Sequence, residues 1–68
     1  MDMRKLVGRN VRAVRQARGM TQEQLAVQSG FSQQYISDLE RGRRNPTIVT
    51  LHDLAQALGS TPVELITP

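Results

Sequence analysis

The stretch Thr21–Gly42, TQEQLAVQSGFSQQYISDLERG, decides how this chain folds. Its pattern predicts two short helices joined by a tight turn at Gly30, because glycine readily adopts the positive φ that a sharp corner requires. Leu25 marks the apolar face of the first helix, and Ile36 and Leu39, three residues apart, mark that of the second. We therefore expect both helices to contribute one face to a shared core.

The opposite face of the second helix is polar, with Gln33, Gln34, Ser37 and Asp38. A short helix with one face in a core and hydrogen-bonding groups on the other has the form of a helix-turn-helix recognition helix, which enters a DNA groove. Glutamine can donate and accept together, as pairing with N6 and N7 of adenine requires, and Asp38 could accept from N4 of cytosine. These four residues are the predicted base contacts.

Each of these residues also has a simpler interpretation. The two glutamines could be solvated surface residues, and Ser37 could pack its hydroxyl between helices. Asp38 could form an ion pair with a nearby arginine. Tyr35 lies between the two faces, and we expect packing of its ring rather than a phosphate contact through its hydroxyl.

Length and composition restrict the possibilities further. The 68 residues allow one domain, spanning 1–68, with the helix-turn-helix at about 21–42. The chain has no cysteine and a single histidine, His52, so no metal site and no cofactor are expected. No carboxylate pair, nucleophile–base set or phosphate-binding loop occurs, so an enzyme is not expected. Without a membrane span or signal peptide, the predicted location is cytoplasmic, on the nucleoid when DNA is bound.

Basic residues are concentrated at two places along the chain. The formal charge is +3. Six of the nine basic residues lie within residues 1–20, and three more follow the second helix of the motif: Arg41, Arg43 and Arg44. Clustered arginine in a small domain favours a polyanionic partner, although a solvated surface is the alternative. Among the arginines of residues 1–20, Arg15 shares a face with the apolar residues, whereas Arg9, Arg12 and Arg18 could be merely solvated.

The flanking segments also have helical patterns. The first helix is predicted from about Arg4 to Arg18, with an apolar stripe that consists of Val7, Val11 and Val14 and is widened by Leu6, Ala13 and Ala17. Thr21 and Gln24 match a capping box. Ser32 should cap the recognition helix, whose open N-terminus could hold a phosphate, and that helix should end at Arg41.

Two more helices are predicted toward the C-terminus. Thr47 should begin one that carries the stripe Ile48, Leu51, Leu54, Ala55 and Leu58. Thr61 and Pro62 should begin a short last helix that contains Leu65 and Ile66. No segment has strand character, so the predicted fold is all-α with five helices.

Three pieces of the sequence, in order and at the right spacing, resemble the Cro/phage-repressor (Xre) family of helix-turn-helix domains. They are VGRNVRAVRQARGMTQEQLA, SQQYISDLERGRRNP and TLHDLAQALG, and the resemblance spans Val7–Ile66. It implies a lambda-repressor-like five-helix domain that binds operator DNA as a dimer, usually to regulate transcription.

The resemblance also implies roles for individual residues. It places Gln33, Gln34, Ser37 and Asp38 at the base-reading positions. The implied phosphate contacts are Gln22, Arg43, Arg44 and Asn45. Arg15 and Glu40 match an internal salt bridge, whereas Ser60 stands where the family often has an apolar residue.

A dimer contact is expected near the C-terminus. The first helix is too basic to pair with its own copy, and the recognition helix must be free to enter the groove. Val63 and Ile66 remain as apolar groups on a short helix whose inner face Leu65 already fills.

Two other functions are compatible with this sequence. The domain could be an antitoxin or another interaction module that binds a partner protein and regulates its own operon. It could also be one domain of a longer regulator. The absence of a further segment after Ile66 is expected to favour a stand-alone regulator or an isolated DNA-binding domain.

Overall fold

The computed structural model describes all 68 residues and contains five helices and no strand. The helices are α1 (Met3–Ala17), α2 (Gln22–Ser29), α3 (Gln33–Glu40), α4 (Ile48–Leu58) and α5 (Pro62–Ile66). The prediction of an all-α, five-helix fold is confirmed. Predicted and observed helix ends agree to within about one residue; α1 begins one residue earlier than expected, since Asp2 caps it by accepting from the backbone N–H of Arg4.

Side-chain caps begin the remaining helices, as their sequences predict. Thr21 accepts from the backbone N–H of Gln24, and the Gln24 side chain accepts from the backbone N–H of Thr21, which completes a capping box. Ser32, Thr47 and Thr61 each accept from the third residue of their helices. Between α2 and α3, Gly30 adopts a φ of 81°, which is the left-handed conformation that the tight turn requires.

One core is shared by all five helices. Its ten residues are Val7, Val11, Leu25, Ala26, Ile36, Leu39, Leu54, Ala55, Leu58 and Leu65. Helix α1 packs on α3 and α5, while α2 packs on α3 and α4. Every helix therefore has a buried face, and the outer face of α3 is left free.

The crossing of α1 and α3 depends on Gly8. A Cβ at this position would lie 2.3 Å from the backbone oxygen of Leu39 and 2.9 Å from that of Glu40. Only a residue without a side chain lets the two backbones approach so closely. This contact outweighs the loss of helix propensity that glycine causes within α1.

Three residues of the predicted apolar stripes are exposed. Ile48 is 80% exposed in the first turn of α4, whose buried residues, Leu54, Ala55 and Leu58, all lie in the second half of the helix. Ala13 and Ala17 are exposed on α1. Helical periodicity identifies which face of a helix points toward the core. It does not show where along its length the helix extends beyond its neighbours.

Arg18 is exposed, but it is not merely solvated, because its guanidinium makes two hydrogen bonds to the protein. Its Nε donates to the backbone oxygen of Leu58 at 3.0 Å, and its Nη2 donates to that of Gly59 at 3.1 Å. The side chain thereby satisfies carbonyl groups that the end of α4 leaves without helical partners. Asn10 has a similar role at α5, donating to the backbone oxygens of Leu65 and Thr67.

Candidate nucleic-acid interface

The outer face of α3 presents the polar side chains that the sequence predicts. Gln33 and Gln34 are exposed in its first turn, and Ser37 is half-buried one turn later. On the opposite face, Ile36 and Leu39 are fully buried. Burial of one face fixes the helix on the protein, so its polar face has a defined orientation toward a ligand.

The start of α3 has a helix N-terminus available for an anion. The hydroxyl of Ser32 accepts from the backbone N–H of Tyr35 at 3.0 Å. No acidic residue lies in the first turn. The positive end of the helix is therefore not neutralised by the protein, which favours a phosphate group near Ser32.

Asp38 and Gln34 interact along the exposed face of α3. The amide nitrogen of Gln34 donates to one carboxylate oxygen of Asp38 at 3.0 Å, as their spacing of four residues allows. The other oxygen of Asp38 lies 3.9 Å from Nε of Arg44. The structure thus shows the ion pair that was the alternative role for Asp38.

Tyr35 packs, as expected, and it does so against two neighbours. Its ring stacks on Phe31, with 4.9 Å between the ring centroids and 26° between the planes. The guanidinium of Arg44 lies over the ring of Tyr35, and its Cζ is 5.0 Å from the ring centroid. This arrangement is a cation–π contact. This stack was not predicted from the sequence. The spacing of four residues between Phe31, in the turn, and Tyr35, on α3, could have indicated it.

The loop after α3 is basic and exposed. Arg43, Arg44 and Asn45 all have exposed side chains. The backbone N–H of Arg43 donates to the backbone oxygen of Asp38 at 2.9 Å, which fixes the beginning of the loop to α3. The loop and the polar face of α3 therefore lie together, and this combined surface is positively charged at its loop end.

Arg15 and Glu40 form the salt bridge that the resemblance implies. Nε and Nη2 of Arg15 donate to the two carboxylate oxygens of Glu40 at 2.6 and 3.0 Å. The third contact of the guanidinium is with the backbone oxygen of Met20 at 2.7 Å. The exposed fractions of the two side chains are 10% and 3%, so the pair is buried. It joins α1 to the end of α3.

Gln22 also contacts this buried pair. Its amide nitrogen donates to Oε1 of Glu40 at 3.1 Å. The resemblance gave Gln22 a phosphate contact, and the contact with Glu40 leaves it a second amide hydrogen for that purpose. Gln22 therefore links the buried salt bridge to the N-terminal end of α2.

The predicted dimer surface on α5 is apolar and accessible. Val63 is 66% exposed and Ile66 is 40% exposed, whereas Leu65 is fully buried. Ile48 and Val49, at the start of α4, are also exposed. Ser60, which precedes α5, is half-buried, and its buried hydroxyl oxygen has no hydrogen-bond partner within the protein.

None of the five helices combines the length and the apolar character that crossing a membrane requires. No group of three potential metal-ligating side chains comes together. The fold and its exposed recognition helix define a small helix-turn-helix domain of the kind that binds DNA.

Comparison with known proteins identifies the family. The HTH_3 helix-turn-helix family matches residues 11–65, and the chain belongs to it. The resemblance to Cro/phage-repressor (Xre) domains is thereby confirmed. The chain is a DNA-binding transcriptional regulator, and the expectation that it is not an enzyme is confirmed by this family membership.

Three similar proteins illustrate the relationship. An uncharacterized HTH-type transcriptional regulator of Sinorhizobium fredii is 65% identical over 68 residues, which cover 100% of this chain and 88% of the relative. The crystal structure of a hypothetical transcription factor from Neisseria superposes with a TM-score of 0.93 at 36% identity, covering 98% of this chain and 77% of that one. The restriction-modification controller protein C.AhdI from Aeromonas hydrophila gives a TM-score of 0.87 at 40% identity, covering 91% and 94%.

Proposed function

We propose that this regulator recognises a specific palindromic operator as a two-fold dimer, with α3 of each protomer in the major groove. The observation that carries the proposal is the asymmetry of α3. Ile36 and Leu39 are fully buried, while Gln33 and Gln34 project from the exposed first turn. The N-terminal residues of a recognition helix are the ones that contact base edges in this type of motif.

Base readout is assigned to the exposed side chains of α3. Gln33 and Gln34 are about 100° apart around the helix, so both can reach the groove but not the same base. Each amide can donate to N7 and accept from N6 of an adenine. Ser37, one turn further along, has a hydroxyl that can contact a base edge or a phosphate.

Phosphate contacts surround this readout surface. Arg43, Arg44 and Asn45 lie in the exposed loop after α3, and Ser32 lies at the open N-terminus of that helix. The second amide hydrogen of Gln22 supplies a further donor. Such contacts set the register of the protein on DNA and make its affinity depend on salt.

A dimer is needed because one recognition helix covers too few base pairs for useful specificity against a genome. Two-fold dimers of this motif place their recognition helices about 34 Å apart, one turn of DNA. Val63 and Ile66 on α5 are the proposed contact, since their side chains are exposed and α5 is held on α1 through Asn10. The small apolar surface favours a dimer that forms mainly on DNA.

The likeness to proteins named as transcriptional regulators and as a restriction-modification controller protein supports the proposal that this chain acts on transcription by binding a DNA site. Selection of sites from random duplex DNA, followed by footprinting, tests this proposal. We expect a palindrome with half-sites one helical turn apart and two protomers on it. One protomer on a non-palindromic site would contradict the proposal.

The dimer contact has its own test. Val63→Asp should abolish cooperative binding to a duplex with two half-sites, while binding to an isolated half-site remains. Val27→Asp is a matched control, because Val27 is 79% exposed and lies on α2. Intact cooperativity in the Val63 variant would place the contact elsewhere.

A further inference from the structure

A carboxylate lies on the face of α3 that is proposed to approach DNA, where phosphates would repel it. Asp38 is not simply solvated there, since its side chain is only 23% exposed. Each of its carboxylate oxygens faces a different partner. One accepts from the Gln34 amide at 3.0 Å, and the other lies 3.9 Å from Nε of Arg44.

The bond to Asp38 fixes the orientation of the Gln34 amide. A carboxylate only accepts hydrogen bonds, so the nitrogen end of the amide must face Asp38 and the oxygen end must face away. One N–H and the carbonyl oxygen of the Gln34 amide remain free to bind a ligand. Because the amide cannot flip, the positions of this donor and this acceptor are fixed. This arrangement suits adenine, which presents the N7 acceptor and the N6 donor, whereas guanine presents two acceptors at these places.

The second oxygen of Asp38 acts on Arg44. The guanidinium of Arg44 lies between this oxygen and the ring of Tyr35, whose centroid is 5.0 Å from Cζ. Tyr35 in turn stacks on Phe31. An arginine held on two sides has less freedom to lose when it contacts a phosphate, so the cost of ordering it on binding is reduced.

We propose that Asp38 is a positioning residue for sequence recognition, acting through Gln34 and Arg44 rather than on a base itself. It orients the base-reading amide and restrains the neighbouring phosphate contact before DNA arrives. The inference rests on the proposed function, because it takes Gln34 as a reader of bases. Asp38 thus lowers general affinity for DNA through its charge and raises the preference for the correct base.

Two substitutions of Asp38 separate the effect of its hydrogen bond to Gln34 from the effect of its negative charge. Asp38→Asn keeps an oxygen that can accept from Gln34 but removes the negative charge, whereas Asp38→Ala removes both. We expect the alanine variant to lose about tenfold of its adenine preference at the position read by Gln34, while the asparagine variant retains most of it. Loss of the negative charge should raise the affinity of both variants for random duplex DNA, and we expect this gain to exceed the added cost of ordering a less restrained Arg44.

Asp53→Ala is the matched control for charge. Asp53 is exposed on α4 and forms no ion pair, so its loss changes net charge equally without touching α3. Base preference should be unchanged in this variant. If Asp38→Ala also left the preference unchanged, or if Asp38→Asn lost as much as Asp38→Ala, the positioning role of the hydrogen bond would be overturned.

A double-mutant cycle distinguishes this inference from the proposed function. If Gln34→Ala alone leaves base preference intact, base readout by Gln34 fails and the inference fails with it. If Gln34→Ala abolishes the preference but Asp38→Ala does not, the inference fails while the proposed readout stands. We expect Asp38→Ala to have no further effect on that preference once Gln34 is alanine.

The free protein provides a readout that needs no DNA. The side-chain amide protons of Gln34 should differ in NMR chemical shift and exchange rate from those of exposed Gln33. In Asp38→Ala they should become similar to those of Gln33, with the protein still folded by its backbone spectrum. Amide signals of Gln34 that do not respond to loss of Asp38 would contradict the proposed orientation.

Discussion

The two ends of α3 differ in how strongly their side chains are bound to the rest of the protein. At the C-terminal end, the side chain of Glu40 is 3% exposed and accepts hydrogen bonds from Arg15 and Gln22. At the N-terminal end, Gln33 and Gln34 project into solvent. One helix thus combines an anchor for the fold with a surface for recognition, and substitutions should separate stability from specificity along its length.

Two carboxylates on this helix show the same contrast. Glu40 receives a two-bond contact from Arg15 at 2.6 and 3.0 Å, while Asp38 lies 3.9 Å from Arg44 and is partly exposed. Exposed ion pairs contribute little to stability, whereas separating a buried pair leaves a charge without a partner. The two residues should therefore respond to substitution in different ways.

The largest effect is expected at Glu40. Replacement by glutamine or alanine leaves the guanidinium of Arg15 buried without its counter-ion, which should lower the free energy of unfolding by about 3–5 kcal/mol. Chemical or thermal denaturation measures this loss. The same glutamine substitution at exposed Glu23 is the control and should cost well under about 1 kcal/mol. An unchanged melting temperature in Glu40→Gln would show that the pair does not stabilise the anchor.

Gly8→Ala should have the next largest effect. The new methyl group would meet the backbone of Leu39 and Glu40, so α1 and α3 would have to move apart. We expect a loss of up to about 3 kcal/mol, as for other overpacked sites. Arg12→Ala, an exposed change on the same helix, should stay within about 0.5 kcal/mol. Equal stability of Gly8→Ala and the original protein would refute the close backbone crossing.

At the recognition surface, Arg43→Ala and Arg44→Ala should weaken DNA binding without unfolding the protein. Each loses one phosphate contact, so the slope of log K against log salt should become shallower by about one unit. The loss should be similar for the selected operator and for random duplex. A loss confined to the operator, with the slope unchanged, would show that the loop reads sequence.

The smallest effect is expected at Ser60. Its buried hydroxyl oxygen has no partner within the protein, and a buried polar group without a partner is destabilising. Ser60→Ala should therefore raise the free energy of unfolding by up to about 1 kcal/mol, with DNA binding unaffected. A lower melting temperature would mean that the hydroxyl contributes to stability.

The helices could be predicted from the sequence because the residues that begin and end them are close together in the chain. Capping by Thr21 and the turn at Gly30 depend on residues within one helical turn, and both are present. The exposure of Ile48 and the role of Arg18 could not be predicted in this way. Both depend on where the ends of α4 lie relative to other helices, which only the packed structure fixes.

In the candidate interface, too, some features could be predicted from the sequence and others depend on the packed structure. The polar face of α3 follows from helical periodicity, so Gln33 and Gln34 could be identified from sequence. The contact of Asp38 with Gln34 follows from their spacing of four residues on α3, whereas its contact with Arg44 depends on the path of the loop after α3. The start of that path is set by the bond from the backbone N–H of Arg43 to the backbone oxygen of Asp38, in a C-cap at which Gly42 adopts a φ of 75°. A glycine after the helix indicates such a cap, but it does not indicate where the side chain of Arg44 lies.

Stability and base preference, measured together in Gln33→Ala and Gln34→Ala, test most directly whether recognition and folding are separated along α3. Each variant should lose about 1–3 kcal/mol of specific binding and relax the preference at one or two base pairs. The free energy of unfolding should stay within about 0.5 kcal/mol of the original value. Unchanged base preference in both variants, or a loss of specificity that only accompanies unfolding, would contradict the separation of recognition from folding along α3.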